Sequence, residues 1–173
     1  MEIYIPDIYA KDIYTVDYEN LKSRGIKCLI FDLDNTLVTI KEFSPREETK
    51  ELFEKLKKMG FKIYIASNSI GPRVKGFHEA LNVEYVSCAG KPHSDKIKEL
   101  VESEKFTLDQ IAMIGDSMMD DVVCGNTLGI TTVLLDQISK AEYPLAWVKR
   151  RKEKRIQKKL RDKDLFTKGR YYV

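Results

Sequence analysis

The 173-residue sequence predicts an α/β fold built on a parallel sheet, and three observations carry that reading. Short apolar, β-branched runs recur along the chain. Segments with helical spacing lie between them, and a polar or charged residue follows nearly every run. Strands that alternate with amphipathic helices imply βαβ units, which need a parallel sheet covered by helices on both faces.

Residues 1–26 read as a lead-in with several tyrosines and a short helical piece near YENLKSRG. The first strand is expected at 27–31, KCLIF. In the segment 46–59, REETKELFEKLKKM, the residues Leu52, Phe53, Leu56 and Met59 share one helical face, and Gly60 follows as a stop signal. Further strands are expected at 61–66, 83–87, 110–115 and 130–135, with helices at 71–81, 93–104 and 118–128, the last ended by Gly129. Residues 1–138 are therefore expected to form the core, and 139–173 a basic helical tail whose apolar members are Tyr143, Leu145, Trp147, Ile156 and Leu160.

With 43% hydrophobic residues the chain can fill one ordinary core and little more. The net charge of +3 says little about partners, but its distribution says more. Lys149 to Lys163 holds ten basic and two acidic residues, a local +8 that leaves the rest of the chain acidic. Cys28, Cys88 and Cys124 are odd in number, widely spaced and set among apolar or small residues, and read as reduced core thiols. No apolar run is long enough to span a bilayer, and the first residues lack the pattern of a signal peptide. A cytoplasmic protein is expected, with any membrane contact peripheral and on the inner face.

The polar residues at the strand ends carry the chemistry. In CLIFDLDNTLV, Asp32 and Asp34 sit one residue apart where a buried strand ends, so they can point the same way while Leu33 packs inward. Close carboxylates repel, and a shared proton or a cation is the usual way to hold them. Ser67 and Asn68 follow the second strand, Lys91 the third, and Asp116 with Asp120 and Asp121 the fourth. Ligand crevices of open α/β sheets lie beyond these carboxyl ends. Taken singly each residue has a blander reading: DNT suits a turn, Ser67 and Asn68 a helix cap, Lys91 a solvated loop, and the acids a helix N-terminus.

Taken in order, DLDNT, ASNS, GKP and GDSMMDD resemble the four motifs of the haloacid dehalogenase (HAD) superfamily of phosphoryl-transfer enzymes. The opening PDIYAKDIYTVDYENLKSRGIKCLIFDLDNTLV resembles the YqeG-type phosphatases of subfamily IIIA, which are similar to mitochondrial phosphatidylglycerophosphatases. The resemblance implies a Rossmann-like HAD fold and a phosphatase with Asp32 as nucleophile and Asp34 as general acid and base. It implies that Ser67 binds the transferring phosphoryl group, that Lys91 balances its charge, and that Asn68 and Thr36 contact substrate. Mg²⁺ would be held by Asp32, the backbone carbonyl of Asp34, Asp116 and Asp121, with Asp120 as the alternative. The residue types suit this chemistry, because an ionised Asp can attack phosphorus without first losing a proton.

Thirty residues lie between Thr36 and Ser67 and 23 between Ser67 and Lys91, so neither gap holds a cap domain. An open site suits large substrates that cover it themselves, and phosphatidylglycerophosphate in phospholipid biosynthesis is the leading expectation. Phosphatases of a protein, a nucleic-acid end or a small metabolite are alternatives, as is a HAD-fold binding module for RNA or a ribosomal partner. The basic tail reads either as a solvated helix face or as an attraction to anionic phosphates of a membrane surface or a nucleic acid.

Overall fold

The computed structural model describes residues 1–69, 71–93, 95–140 and 146–173; Tyr143 and Leu145 lie outside them. Six parallel strands form one open sheet: β1 (Ile8–Ala10), β2 (Cys28–Phe31), β3 (Lys62–Ala66), β4 (Glu84–Val86), β5 (Ile111–Gly115) and β6 (Thr131–Leu135), in the order β1-β6-β5-β2-β3-β4. Five match expected runs. The sixth, β1, was hidden in the lead-in, where three residues are too few to show a period; it pairs with β6 through Tyr9 and Leu134.

Side chains alternate across the pleat and so divide into two cores. Leu29, Phe31, Ile63, Ile65, Ala112 and Ile114 face α1 (Tyr18–Ser23), α2 (Glu47–Lys58) and α3 (Gly71–Leu81), which contribute Leu21, Phe53, Leu56, Val74 and Phe77. Leu52 and Met59 pack partly buried against this core, which accounts for the apolar face of α2. Cys28, Ile30, Tyr64, Ile111 and Met113 face the other way, toward Ile97 and Val101 of α4 (Asp95–Ser103) and Cys124 of α5 (Val123–Leu128). Burial of several large side chains on each face, at roughly 2 kcal/mol apiece, fixes the register of the central strands.

Two expectations need correction. The segment 118–128 is not one regular helix: Met118–Val122 is a π-helical turn that leads into α5, and Gly129 closes α5 in the left-handed conformation at φ 76°. Cys28 and Cys124 are buried free thiols, but Cys88 is exposed, at φ 48°, in the turn that carries the chain from β4 back toward Lys91.

A sixth helix, α6 (Ala146–Arg161), runs through the basic segment, and residues beyond it return to the edge of the sheet. Leu160 and Phe166 are buried with Tyr9, Met118, Val122 and Leu134 in a third cluster, and Ile156 packs beside them. Tyr172 bridges the backbone of Tyr9. Trp147 stays 56% exposed. Among the described residues, the connection from Thr36 to Ser67 holds only loops, α2 and β3, and no further domain intervenes. No helix among them is long and apolar enough to cross a membrane.

Candidate active site

The carboxyl ends of β2, β3 and β5 open onto a cavity of about 830 Å³. β2, at the centre of the sheet, delivers Asp32, whose N–H extends the ladder by donating to Ile114 O at 2.8 Å. Two residues on, Asp34 lines the same cavity. Ser67 follows β3 and is buried, and Asn68 reaches across to the Lys91 backbone, with its amide donating to Lys91 O and accepting from Lys91 N, both at 2.9 Å. Two hydrogen bonds thus fix where Lys91 leaves the loop.

Lys91 is 4% exposed. Its Nζ donates to Asp32 Oδ1 and to Asp121 Oδ1, each at 2.6 Å, one ammonium between two buried carboxylates. The other oxygen of Asp121 accepts from Ser117 N at 3.0 Å. Gly115 is what makes room for this carboxylate: a Cβ at that position would lie 2.1 Å from Asp121 Oδ2. The π-helical turn brings Asp121 inward, while Asp120 turns to the rim and pairs with Lys149 at 2.9 Å. Carboxylate oxygens of Asp32, Asp116 and Asp121 all lie within 4.8 Å of one another, and Asp120 is outside this group. Thr36 Oγ1 donates to Asp116 Oδ1 at 3.4 Å.

These acids are held uneasily. Burial pushes the Asp32 carboxyl up to about 7; Asp121 adds to the rise and the Lys91 ammonium opposes it. Asp116 is raised well above the usual carboxylate range by burial, again with an opposing cation, Arg150. Lys91 is held protonated by its two carboxylates, which outweigh the effect of its own burial. Three buried carboxylates within reach of one centre fit a hard divalent cation such as Mg²⁺ and would relieve their mutual repulsion on its arrival.

Two arginines in the site were not anticipated. Arg73, in the first turn of α3, donates to Asp34 Oδ1 from Nη2 at 2.7 Å and from Nε at 3.2 Å, and its guanidinium also holds the carbonyls of Thr39 and Glu42. Ser69 Oγ donates to the other oxygen of Asp34. From α6, Arg150 donates to Asp116 Oδ2 and, at 2.9 Å, to Glu153 Oε2. Glu153 is buried and accepts from Met118 N at 3.4 Å, so α6 holds the turn that carries Asp120 and Asp121. The sequence held one signal for this. Glu153 is the only acid in the run from Lys149 to Arg161, at i+3 from Arg150, the spacing of a helical ion pair.

The family model described as mitochondrial PGP phosphatase matches residues 1–139. Over 162 residues the chain is 32% identical to the probable phosphatase YqeG of Bacillus subtilis (strain 168), covering 94% of each. It is 28% identical over 152 residues to the chloroplastic/mitochondrial phosphatidylglycerophosphate phosphatase 1 of Arabidopsis thaliana, covering 83% of this chain and 44% of that one. Among solved structures, the cobalt-bound deoxy-D-mannose-octulosonate 8-phosphate phosphatase of Haemophilus influenzae shares the fold, with a TM-score of 0.53 at 18% identity over 67% of this chain and 81% of that one.

Proposed function

Because the chain belongs to the mitochondrial PGP phosphatase family and has the HAD hydrolase fold, we propose that it hydrolyses the terminal phosphate of phosphatidylglycerophosphate through an aspartyl-phosphate on Asp32. It is a phosphoric monoester hydrolase. The observation that carries the nucleophile assignment is the position of Asp32: end of the central strand, lining the cavity, its carboxylate 2.6 Å from the ammonium of Lys91.

In the first half-reaction Asp32 attacks phosphorus. A bond forms from its carboxylate oxygen to phosphorus as the bond to the leaving glycerol oxygen breaks, and Asp34 gives that oxygen a proton. In the second half water attacks the same phosphorus, Asp34 takes the water's proton, and the carboxylate of Asp32 departs. Lys91 offsets the repulsion between the nucleophile and the incoming phosphate, and Ser67 donates to a phosphoryl oxygen. Arg73 on one oxygen of Asp34 and Ser69 on the other hold its carboxyl in place over the cavity. Asp32, Asp116, Asp121 and the backbone carbonyl of Asp34 would hold Mg²⁺, which supplies charge neutralisation at the phosphoryl oxygens.

The lipid assignment is supported by the family, by the lack of a cap within the described residues, and by the exposed basic side of α6 beside the cavity, suited to the anionic surface in which such a lipid lies. Phosphate release from phosphatidylglycerophosphate in mixed micelles with Mg²⁺ tests it, with glycerol 3-phosphate, a phosphopeptide and a 3′-phosphorylated oligonucleotide alongside. Preferred release from the lipid, lost in Asp32→Asn, is expected. Preference for any other member would replace the lipid as substrate.

A further inference from the structure

A second cavity, of about 530 Å³, adjoins the first on the far side of Arg150, and Asp116, Arg150 and Glu153 line both. Its floor is formed by the buried side chains of Tyr9, Leu134, Leu135 and Phe166. Its rim carries the exposed cations Lys140, Arg151, Lys154 and Lys168, together with Trp147, whose ring lies 5.8 Å from the Arg151 guanidinium. The acids within this cavity are already engaged. Asp136 accepts from the hydroxyls of Tyr9 and Tyr171 at 2.6 and 2.7 Å, and Asp116 and Glu153 hold Arg150. Among the described residues, none of the four rim cations forms an ion pair.

The two cavities therefore differ in sign. The first is lined by five aspartates, whose charge the cations of the site offset for one incoming phosphate. A second anion on the same substrate is repelled there and attracted to the basic rim beyond Arg150. We propose that the second cavity is a phosphodiester subsite: the rim cations hold the diester anion, and Trp147 and the apolar floor take the carbon atoms attached to it. The proposal rests on the phosphatase reading and deepens it. It places the monoester of phosphatidylglycerophosphate at Asp32 and the diester of the same molecule across Arg150. Discrimination against simple phosphomonoesters then follows from the second anion rather than from a cap.

Trp147 is the only tryptophan of the chain and lines this cavity, so its fluorescence reports occupancy without turnover. Full-length Asp32→Asn protein titrated with glycerophosphoglycerol, a soluble phosphodiester, is expected to show a saturable change in emission that weakens with salt and disappears in Lys140→Gln/Lys154→Gln/Lys168→Gln. In otherwise wild-type protein the same three substitutions are expected to lower kcat/KM for phosphatidylglycerophosphate roughly tenfold more than for an aryl phosphate. Glycerophosphoglycerol should compete with the lipid substrate. The subsite is overturned if Trp147 shows no saturable response, or if both substrates suffer equally. Binding at Trp147 without competition would mean that the diester of a neighbouring lipid occupies the cavity, which overturns the substrate assignment. Loss of the phosphatase reading has a different signature, absence of Asp32-dependent aryl phosphate turnover, and leaves the fluorescence result to stand by itself.

Discussion

The ammonium of Lys91 donates to Asp32 Oδ1 at 2.6 Å, with 1% of the lysine side chain and 10% of the aspartate side chain exposed. A cation so placed does two jobs: it opposes the burial that drives the Asp32 carboxyl upward, and it admits a second anion beside that carboxylate. Lys91→Gln is expected to lower kcat on an aryl phosphate by roughly a hundredfold to a thousandfold. Because the substitution leaves Asp32 and Asp121 without their shared cation, a drop of about 3 kcal/mol in metal-free stability is also expected, read from urea midpoints. Lys91→Arg should not rescue turnover, since the forked guanidinium cannot occupy the place of a point charge between two close carboxylates.

Asp121 and Asp120 are neighbours in sequence with opposite surroundings, and Mg²⁺ separates them. Addition of Mg²⁺ to chelator-treated protein should raise the thermal midpoint of the wild type and of Asp120→Asn by several degrees, and leave Asp116→Asn and Asp121→Asn nearly unmoved. Gly115→Ala belongs with the second group, because its Cβ would displace the Asp121 carboxylate. Differential scanning fluorimetry across a Mg²⁺ series gives the comparison.

The raised pKa of Asp32, about 7 against an ordinary value near 4, makes metal-free stability depend on pH with a definite sign. Below about 4 the carboxyl is protonated in both folded and unfolded chains. Between about 4 and 7 the unfolded chain releases its proton and the folded one retains it, so this contribution to stability is lost as pH rises through 7. Without metal, Asp32→Asn is expected to exceed the wild type in stability at pH 7.5 by on the order of 1 kcal/mol, with the gap closing toward pH 4.5. Denaturant melts at the two pH values check it.

Much of this arrangement was legible in the sequence, for physical reasons that can be named residue by residue. Leu29, Ile63 and Ile114 sit in runs apolar enough to demand burial, and the end of each run marks the edge where ligands bind. Asp32 and Ser67 follow such runs directly, Lys91 returns through a turn after the edge strand β4, and the cavity receives them all. The three-residue β1 carries too little pattern to be seen before its partner β6 is placed. The inward turn of Asp121 depends on a π-helical segment that no periodicity announces. Arg150 was hidden by its own neighbours: in a run of ten basic residues, composition says nothing about which one faces the core. The packing of Leu160 and Glu153 selects it, and the i+3 spacing to Glu153 is the one trace of that choice in the sequence.

A covalent bond between phosphorus and Asp32 distinguishes this mechanism from direct attack by water, and it can be trapped. Turnover of an aryl phosphate with Mg²⁺ is quenched, the protein is reduced with borohydride, which converts an acyl phosphate to an alcohol, and the peptide containing Asp32 is read by mass spectrometry. The expected result is reduction at Asp32 that requires both substrate and Mg²⁺. Unmodified Asp32 in protein quenched during rapid turnover, or reduction at another carboxylate in its place, would contradict the mechanism.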